Sequence, residues 1–218
     1  MVSHDNPRLD WAPLWIGAAF AVALIGLDIV LRPEGASLTR EHGGIELASA
    51  LMYVYAVMVW LRRNPPSYWG SHWHLPAIML FGAAREFDLD KSLTSVGIFK
   101  SNLYLTDQAP IWERLIGLVV LVVLVWAVIR LVRLPARTFL HGLQRGDSGS
   151  WAVLGAIGVA GIAKSIAGIG RKLRPFGITV DSGLEAWAGI AEELMELFIP
   201  FFLLYAVLEA SRHLTQRR

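Results

Sequence analysis

The sequence contains no cysteine, and charged residues make up only 17% of it. The absence of cysteine excludes disulfides, thiolate metal sites and cysteine nucleophiles, but it does not identify the redox compartment. The net charge of +2 is small and the basic residues are dispersed along the chain, which argues against nucleic acid as a partner. Function therefore has to be sought among the few charges that lie close to long apolar runs.

The composition places the chain among membrane proteins. Its 218 residues are 55% apolar with a mean hydropathy of +0.48, which is too apolar for an ordinary soluble domain. The apolar runs are continuous, whereas a β-barrel has strands of alternating polarity. The first run contains Asp28 and is too long for a signal peptide, so we interpret it as a membrane helix. These features predict an all-α integral membrane protein with a single domain over residues 1–218.

The apolar runs predict a bundle of six transmembrane helices. Proline and charged residues mark the ends of several runs, as at Arg32-Pro33 after the first one. In the fifth run Gly155, Gly158 and Gly161 are three residues apart, which allows close approach of a neighbouring helix. The predicted helices cover approximately residues 13–31, 41–61, 73–90, 111–132, 151–170 and 183–210.

The third predicted helix is short and charged. It is apolar only from Trp73 to Ala84, and about twelve residues extend roughly 18 Å, less than the bilayer core of about 30 Å. To cross, this helix must carry Arg85 and Glu86 into the bilayer. The following stretch, residues 91–110, is too polar to span and too apolar for a free loop, so we expect an interfacial or re-entrant segment.

The basic residues predict an orientation. The side that holds both termini carries an excess of arginine over acidic residues, including Arg62, Arg63, Arg130 and Arg133. Because positive residues favour the cytoplasmic side, we expect both termini in the cytoplasm. The expected location is a bacterial inner membrane, and the lipid bilayer is the first predicted partner.

Most of the remaining charges lie on the opposite, outer half of the predicted bundle, where every helix contributes. An Asp, Lys or Arg at a helix centre costs about +2.5 to +3.5 kcal/mol, so a cluster of such residues usually marks a site. His42 and Glu46 are four residues apart on one helix face, as are Glu192 and Glu196. The inner half has almost no ionisable residue within the spans, which argues against a simple channel.

These charges predict a carboxylate- and histidine-rich pocket that binds a cation or a lipid-like headgroup, with a divalent metal as cofactor and hydrolysis of the headgroup as the reaction. Lys164 and Arg85 are the expected charge partners, because both lie at depths where an unpaired charge is costly. The predicted metal ligands are His42, Glu46, Glu192 and Glu196, the predicted catalytic acids or bases are Glu46, Glu192 and Glu196, and the predicted substrate-binding residues are Glu86 and Asp88.

Three other interpretations of the same residues stand beside this one. The charges can form a buried salt-bridge network that fixes helix register without chemistry. The protein can also be a cation- or proton-coupled carrier that acts as an oligomer, or a non-catalytic structural subunit with a membrane-protein partner or a second copy of itself.

His72 and His74 have a spacing suited to a metal with His141, but histidines beside tryptophan and proline are more often interface residues.

Overall fold

The computed structural model describes residues 10–31, 43–106, 109–133 and 136–216, and every regular element in these ranges is helical. The all-α class is therefore confirmed. The elements are α1 (Ala12–Leu31), α2 (Gly44–Arg63), α3 (Pro66–His72), α4 (His74–Glu86), α5 (Leu89–Leu93), α6 (Asn102–Leu105), α7 (Ile111–Arg133), α8 (Ala136–Gln144), α9 (Ser148–Ile166), α10 (Ile169–Leu173), a 3₁₀ turn (Arg174–Phe176) and α11 (Ser182–Gln216).

Five of the described helices are long and apolar enough to cross a membrane, namely α1, α2, α7, α9 and α11. They indicate an integral membrane protein. The helix α4 has only 13 residues and is not among them. Large apolar side chains such as Trp15 and Val30 on α1 and Val119 on α7 are exposed, which suits a surface covered by lipid tails.

Helix α2 lies at the centre of the bundle. It packs on α1, α4 and α11, while α9 packs on α11 and α7 packs on α4. Of the apolar stretch of α2, 61% is buried, compared with 11% in α1 and in α7. Met52, Ala56 and Leu204 are completely buried between α2 and α11. Side chains on α2 and α11 that point inward are therefore held in the most buried part of the described bundle.

The predicted third helix, residues 73–90, is divided differently in the structure. Pro76 has no N–H to donate to the carbonyl of His72, so the helix is interrupted between α3 and α4. At the other end α4 stops at Glu86, because Asp88 adopts the left-handed conformation with φ of 48°. The fifth predicted helix, residues 151–170, corresponds to α9. This helix already ends at Ile166, because Gly168 adopts the left-handed conformation with φ of 59°.

The segment between α4 and α7 is folded against α7. Glu113 of α7 is buried and accepts hydrogen bonds from the backbone N–H of Ser95, at 2.8 Å, and from its hydroxyl, at 2.7 Å. The Tyr104 hydroxyl donates to the carbonyl of Ile98 at 2.7 Å and lies against Gly117, where a Cβ would be only 2.6 Å from it. These contacts give the segment a defined path along α7.

Candidate functional site

Seven ionisable side chains from four helices meet in one region, which we call the charged cluster. Ion pairs and electrostatic interactions connect its members directly or through a neighbour. The cluster contains most of the residues that the sequence analysis selected. Its members are Glu46 of α2, Arg85 and Glu86 of α4, Lys164 of α9, and Glu192, Glu193 and Glu196 of α11.

Glu196 forms the principal ion pairs of the charged cluster. Its Oε1 is hydrogen-bonded to Nη2 of Arg85 and lies 4.0 Å from Nζ of Lys164. Arg85 also approaches Glu86, with 3.7 Å between Nη1 and Oε1. Glu196 exposes only 8% of its surface, whereas the Arg85 side chain is 47% exposed. The two predicted charge partners thus lie beside one buried carboxylate.

A proline one turn later in α11 changes the hydrogen bonding of the Glu196 carbonyl. Pro200 is fully buried and has no N–H, so the Glu196 carbonyl lacks its helical hydrogen bond. The Ser49 hydroxyl of α2 donates a long hydrogen bond of 3.5 Å to this carbonyl. A carbonyl without a hydrogen bond in an apolar interior is costly. The hydrogen bond from Ser49 reduces this cost and links α2 to α11 beside the charged cluster.

Carboxylates outnumber cations in the charged cluster by five to two. Within the described part of the chain, neither Glu192 nor Glu193 forms an ion pair, and Oε2 of Glu193 is buried without a hydrogen-bond partner. Glu193 also interacts electrostatically with Glu46, Glu192 and Glu196. A buried carboxylate that has no partner is costly unless a proton or a cation neutralises it.

Besides Glu193, two residues of the region were not selected from the sequence. Ser49 binds the Glu196 carbonyl, and Tyr53 lies close enough to Arg85, Glu86 and Glu196 to interact with their charges. The sequence did contain a signal, because Glu46, Ser49 and Tyr53 are spaced by three and four residues and so share one face of α2. Polar residues on the buried face of a central helix were the feature to follow.

Two carboxylates that lie at the outer end of the predicted bundle form hydrogen bonds outside the charged cluster. Asp88, a predicted substrate-binding residue, accepts a hydrogen bond from Nζ of Lys91 at 2.8 Å within the turn after α4. Asp28 accepts from the backbone N–H of Gly44 at 3.0 Å and so caps the start of α2 from a neighbouring helix. His42, a predicted metal ligand, lies outside the described residues.

The described residues contain no group of three or more His, Cys, Asp or Glu side chains arranged to hold a metal ion. The predicted metal set includes His42, so the metal remains a prediction. His72 and His74, the other candidate pair, have ring centroids 6.1 Å apart.

Comparison of the chain with protein-family models, with curated proteins and with solved structures gives no match. The charges, depth and contacts of the side chains therefore carry the functional inference. The most informative of them is the excess of carboxylates beside Glu196.

Proposed function

We propose that this protein is a six-span inner-membrane protein whose charged cluster binds a cation within the outer half of the bilayer. The cation is a metal ion or the ammonium group of a lipid-like headgroup. The supporting observation is Oε2 of Glu193, which is buried without a hydrogen-bond partner in the described part of the chain. Glu193 also interacts electrostatically with three further glutamates.

The depth of the charged cluster supports both the sixth span and the site. Arg85 lines a groove of about 330 Å³ together with Val120 and Leu124 of α7. At 1.5 Å per residue, Val120 lies about 13 Å along α7 from Ile111. If α7 spans the membrane, α4 therefore carries Arg85 into the bilayer, as a short sixth span would. The preceding α3 then lies at the membrane interface.

The segment after α4 fits the same arrangement. Leu93, Ile98 and Phe99 line the groove that Arg85 and the middle of α7 also line. Apolar side chains at this depth, on a segment bound to α7 through Glu113, are typical of a re-entrant segment that returns to its own side. In our proposal this segment separates the charged cluster from lipid on the α7 side.

The chemistry of the cluster favours a cationic ligand over an anionic one. Arg85 and Lys164 already face Glu196, so they offer little to a second anion. Carboxylate oxygens are preferred ligands for hard divalent cations and accept strong hydrogen bonds from ammonium groups. With a divalent metal bound, Glu46, Glu192 or Glu196 would act as general base in the predicted headgroup hydrolysis.

The test is a binding measurement on the detergent-purified protein and on a Glu192→Gln/Glu193→Gln double variant. Elemental analysis and native mass spectrometry report retained metal and retained lipids with ammonium headgroups. We expect the unmodified protein to retain one of these in stoichiometric amount and the double variant to lose it. Glu185→Gln, an exposed change on the same helix, is the matched control. No retained metal or ammonium lipid, or equal retention by all three proteins, would contradict the proposal.

A second candidate function is assembly with another membrane helix, as in a structural subunit or in a carrier that acts as an oligomer. Gly158 and Gly161 are exposed on α9, and a Cβ added at either would meet no atom within 4 Å. Exposed Ile157 and Ile162 flank them. Small residues on an outward face allow close helix association in lipid.

This candidate is tested by the mass of the protein–detergent complex. Gly158→Leu/Gly161→Leu should convert an oligomer to a monomer, whereas Gly26→Leu on α1, which is also in open space, should not. An unmodified protein that is already monomeric and copurifies with no other subunit would exclude the assembly role.

A further inference from the structure

A second group of polar side chains lies where the junction of α3 and α4 meets α7. We call His72, His74 and Arg130 the His–Arg cluster. His74 is only 2% exposed, and its Nδ1 has no hydrogen-bond partner in the described part of the chain. Nε of Arg130 is buried and equally unpartnered there. Buried polar atoms nearly always have a partner, so two such atoms at one junction are candidates for binding a ligand.

Several contacts hold the two side chains at this junction. Nη2 of Arg130 donates to the carbonyl of Ser71 at 2.8 Å, three residues before His74. The rings of Trp73 and Trp126 meet edge to face at 5.1 Å, and Trp126 lies one helical turn before Arg130. His74 and Arg130 are also close enough to interact electrostatically. These contacts place both side chains at the same junction.

The charge of this group identifies the ligand class. Among the described residues, no carboxylate forms an ion pair with Arg130. A buried water molecule would supply a hydrogen bond but would leave the positive charge uncompensated. A phosphate group supplies both, because its oxygens accept charge-assisted hydrogen bonds from guanidinium and imidazole groups. The ligand is therefore expected to be an anion of the phosphate type.

An apolar cavity of about 230 Å³ is connected to the His–Arg cluster through Tyr68, which lines the cavity and whose ring stacks on His72 with centroids 3.6 Å apart. Leu75 of α4 and Leu131 of α7 also line it. Met79, Val153 and Leu203 continue the apolar wall. Since an apolar cavity of about 150 Å³ already holds benzene, this one has room for several carbons of an acyl chain.

We propose that the His–Arg cluster and the adjoining cavity bind a phospholipid, with Arg130 and His74 holding its phosphate and the cavity taking the first part of an acyl chain. Trp73 and Trp126 beside the phosphate position suit the headgroup level of the bilayer. This site lies at the opposite end of α4 from the charged cluster and does not depend on the function proposed for it.

The test is a native mass spectrometry titration of the full-length protein with three probes. Phosphatidylglycerol has both phosphate and acyl chains, diacylglycerol lacks the phosphate, and inorganic phosphate lacks the chains. We expect only phosphatidylglycerol to bind tightly. Arg130→Gln should weaken its binding at least about tenfold, the usual loss for a charge-assisted hydrogen bond. Arg133→Gln removes the same charge from an exposed position on the same helix and should bind as the unmodified protein does.

The other outcomes overturn the proposal. Equal binding of phosphatidylglycerol by Arg130→Gln and Arg133→Gln would show that Arg130 does not hold the phosphate. Equal binding of diacylglycerol would remove the phosphate from the site, and equal binding of inorganic phosphate would remove the lipid. If Arg130→Gln does not fold, Arg130→Lys replaces it, because lysine keeps the charge without the Nε donor. Binding as strong as that of Arg133→Lys would then reject the site.

Discussion

The polar side chains at the two ends of α4 differ in whether they have partners within the protein. At the Glu86 end, charges of both signs from four helices meet, and Arg85 and Lys164 both face Glu196. At the His74 end, about 18 Å away along the helix, His74 and Arg130 have buried nitrogen atoms without partners in the described part of the chain. At the first end Glu196 has its counter-charges within the protein while other carboxylates remain in excess, whereas the second end lacks an acceptor.

This difference separates what each end contributes. Ion pairs between helices fix the packing of α4 and α11, so changes to Glu196 should appear first as lost stability. Polar groups that have no partner in the described part of the protein add little to folding until a ligand binds, so changes to Glu193 or at the His74 end should appear as lost binding. Measurements of unfolding and of ligand retention on the same variants therefore distinguish the ion-paired residues from those proposed to bind ligands.

The largest expected effect follows from removing Glu196. Glu196→Ala leaves Arg85 and Lys164 without their shared partner, and removing a buried carboxylate that accepts from charged groups costs about 3 kcal/mol, the upper end of the usual range for such hydrogen bonds. The free energy of unfolding in detergent measures the loss. Asp88→Asn breaks the pair with the more exposed Lys91 and should cost under about 1 kcal/mol. If Glu196→Ala loses no more unfolding free energy than Asp88→Asn, the charged cluster does not stabilise the bundle.

A smaller effect is expected where α4 meets α2 beside the charged cluster. A Cβ added to Gly82 would lie 2.7 Å from the ring of Tyr53, which is closer than real contacts allow. Gly82→Ala should therefore destabilise the protein by about 1–3 kcal/mol through overpacking. Gly26→Ala on α1 meets no atom within 4 Å and should instead stabilise by up to about 1 kcal/mol, because alanine favours helix over glycine. Thermal unfolding in detergent reports both signs, and a stabilising Gly82→Ala would disprove the close packing.

The bond between Ser49 and the Glu196 carbonyl permits a test by a double-mutant cycle. Ser49→Ala should cost about 0.5 kcal/mol, the lower end of the usual range, because the hydrogen bond is long. In a Pro200→Ala background the new N–H at position 200 can donate to the same carbonyl, so the further loss from Ser49→Ala should be close to zero. Unfolding free energies of the four proteins give the coupling. Additive losses would show that Ser49 does not compensate for Pro200.

Much of the fold could be predicted because apolar length and the cost of charge in lipid are local properties of the sequence. They identified the five long helices, the shortness of the helix that ends at Glu86 and the gathering of Arg85, Glu86, Lys164 and Glu196. The α3–α4 interruption at Pro76 was also readable, since the proline is in the sequence, but it was not used.

What could not be predicted depends on contacts between distant residues. Nothing local to Asp28 indicates that it caps α2, and nothing local to Glu113 indicates that it binds Ser95 instead of joining the charged cluster. The surroundings of His74 could not be predicted for a related reason. Its spacing with His72 suggested a metal, whereas its buried Nδ1 and its proximity to Arg130 appear only in the folded structure.

The smallest effect is expected at the surface on the His74 side of the bundle, where Asp10 binds Arg63. This hydrogen bond, with a second one from the backbone N–H of Ala12, lowers the pKa of Asp10 in the folded protein. The pair therefore contributes stability above the unfolded pKa of about 4, and this contribution is lost as the pH falls through the lower folded value. Asp10→Asn should reduce the free energy of unfolding by under about 1 kcal/mol at neutral pH. The difference from the unmodified protein should shrink in strong acid and in high salt. A difference that is constant with pH would contradict this account, because both the Arg63 pair and the hydrogen bond from Ala12 stabilise the ionised form of Asp10. The exposed surface would then owe nothing measurable to the charge of Asp10, unlike the Glu86 end, where paired charges hold the helices together.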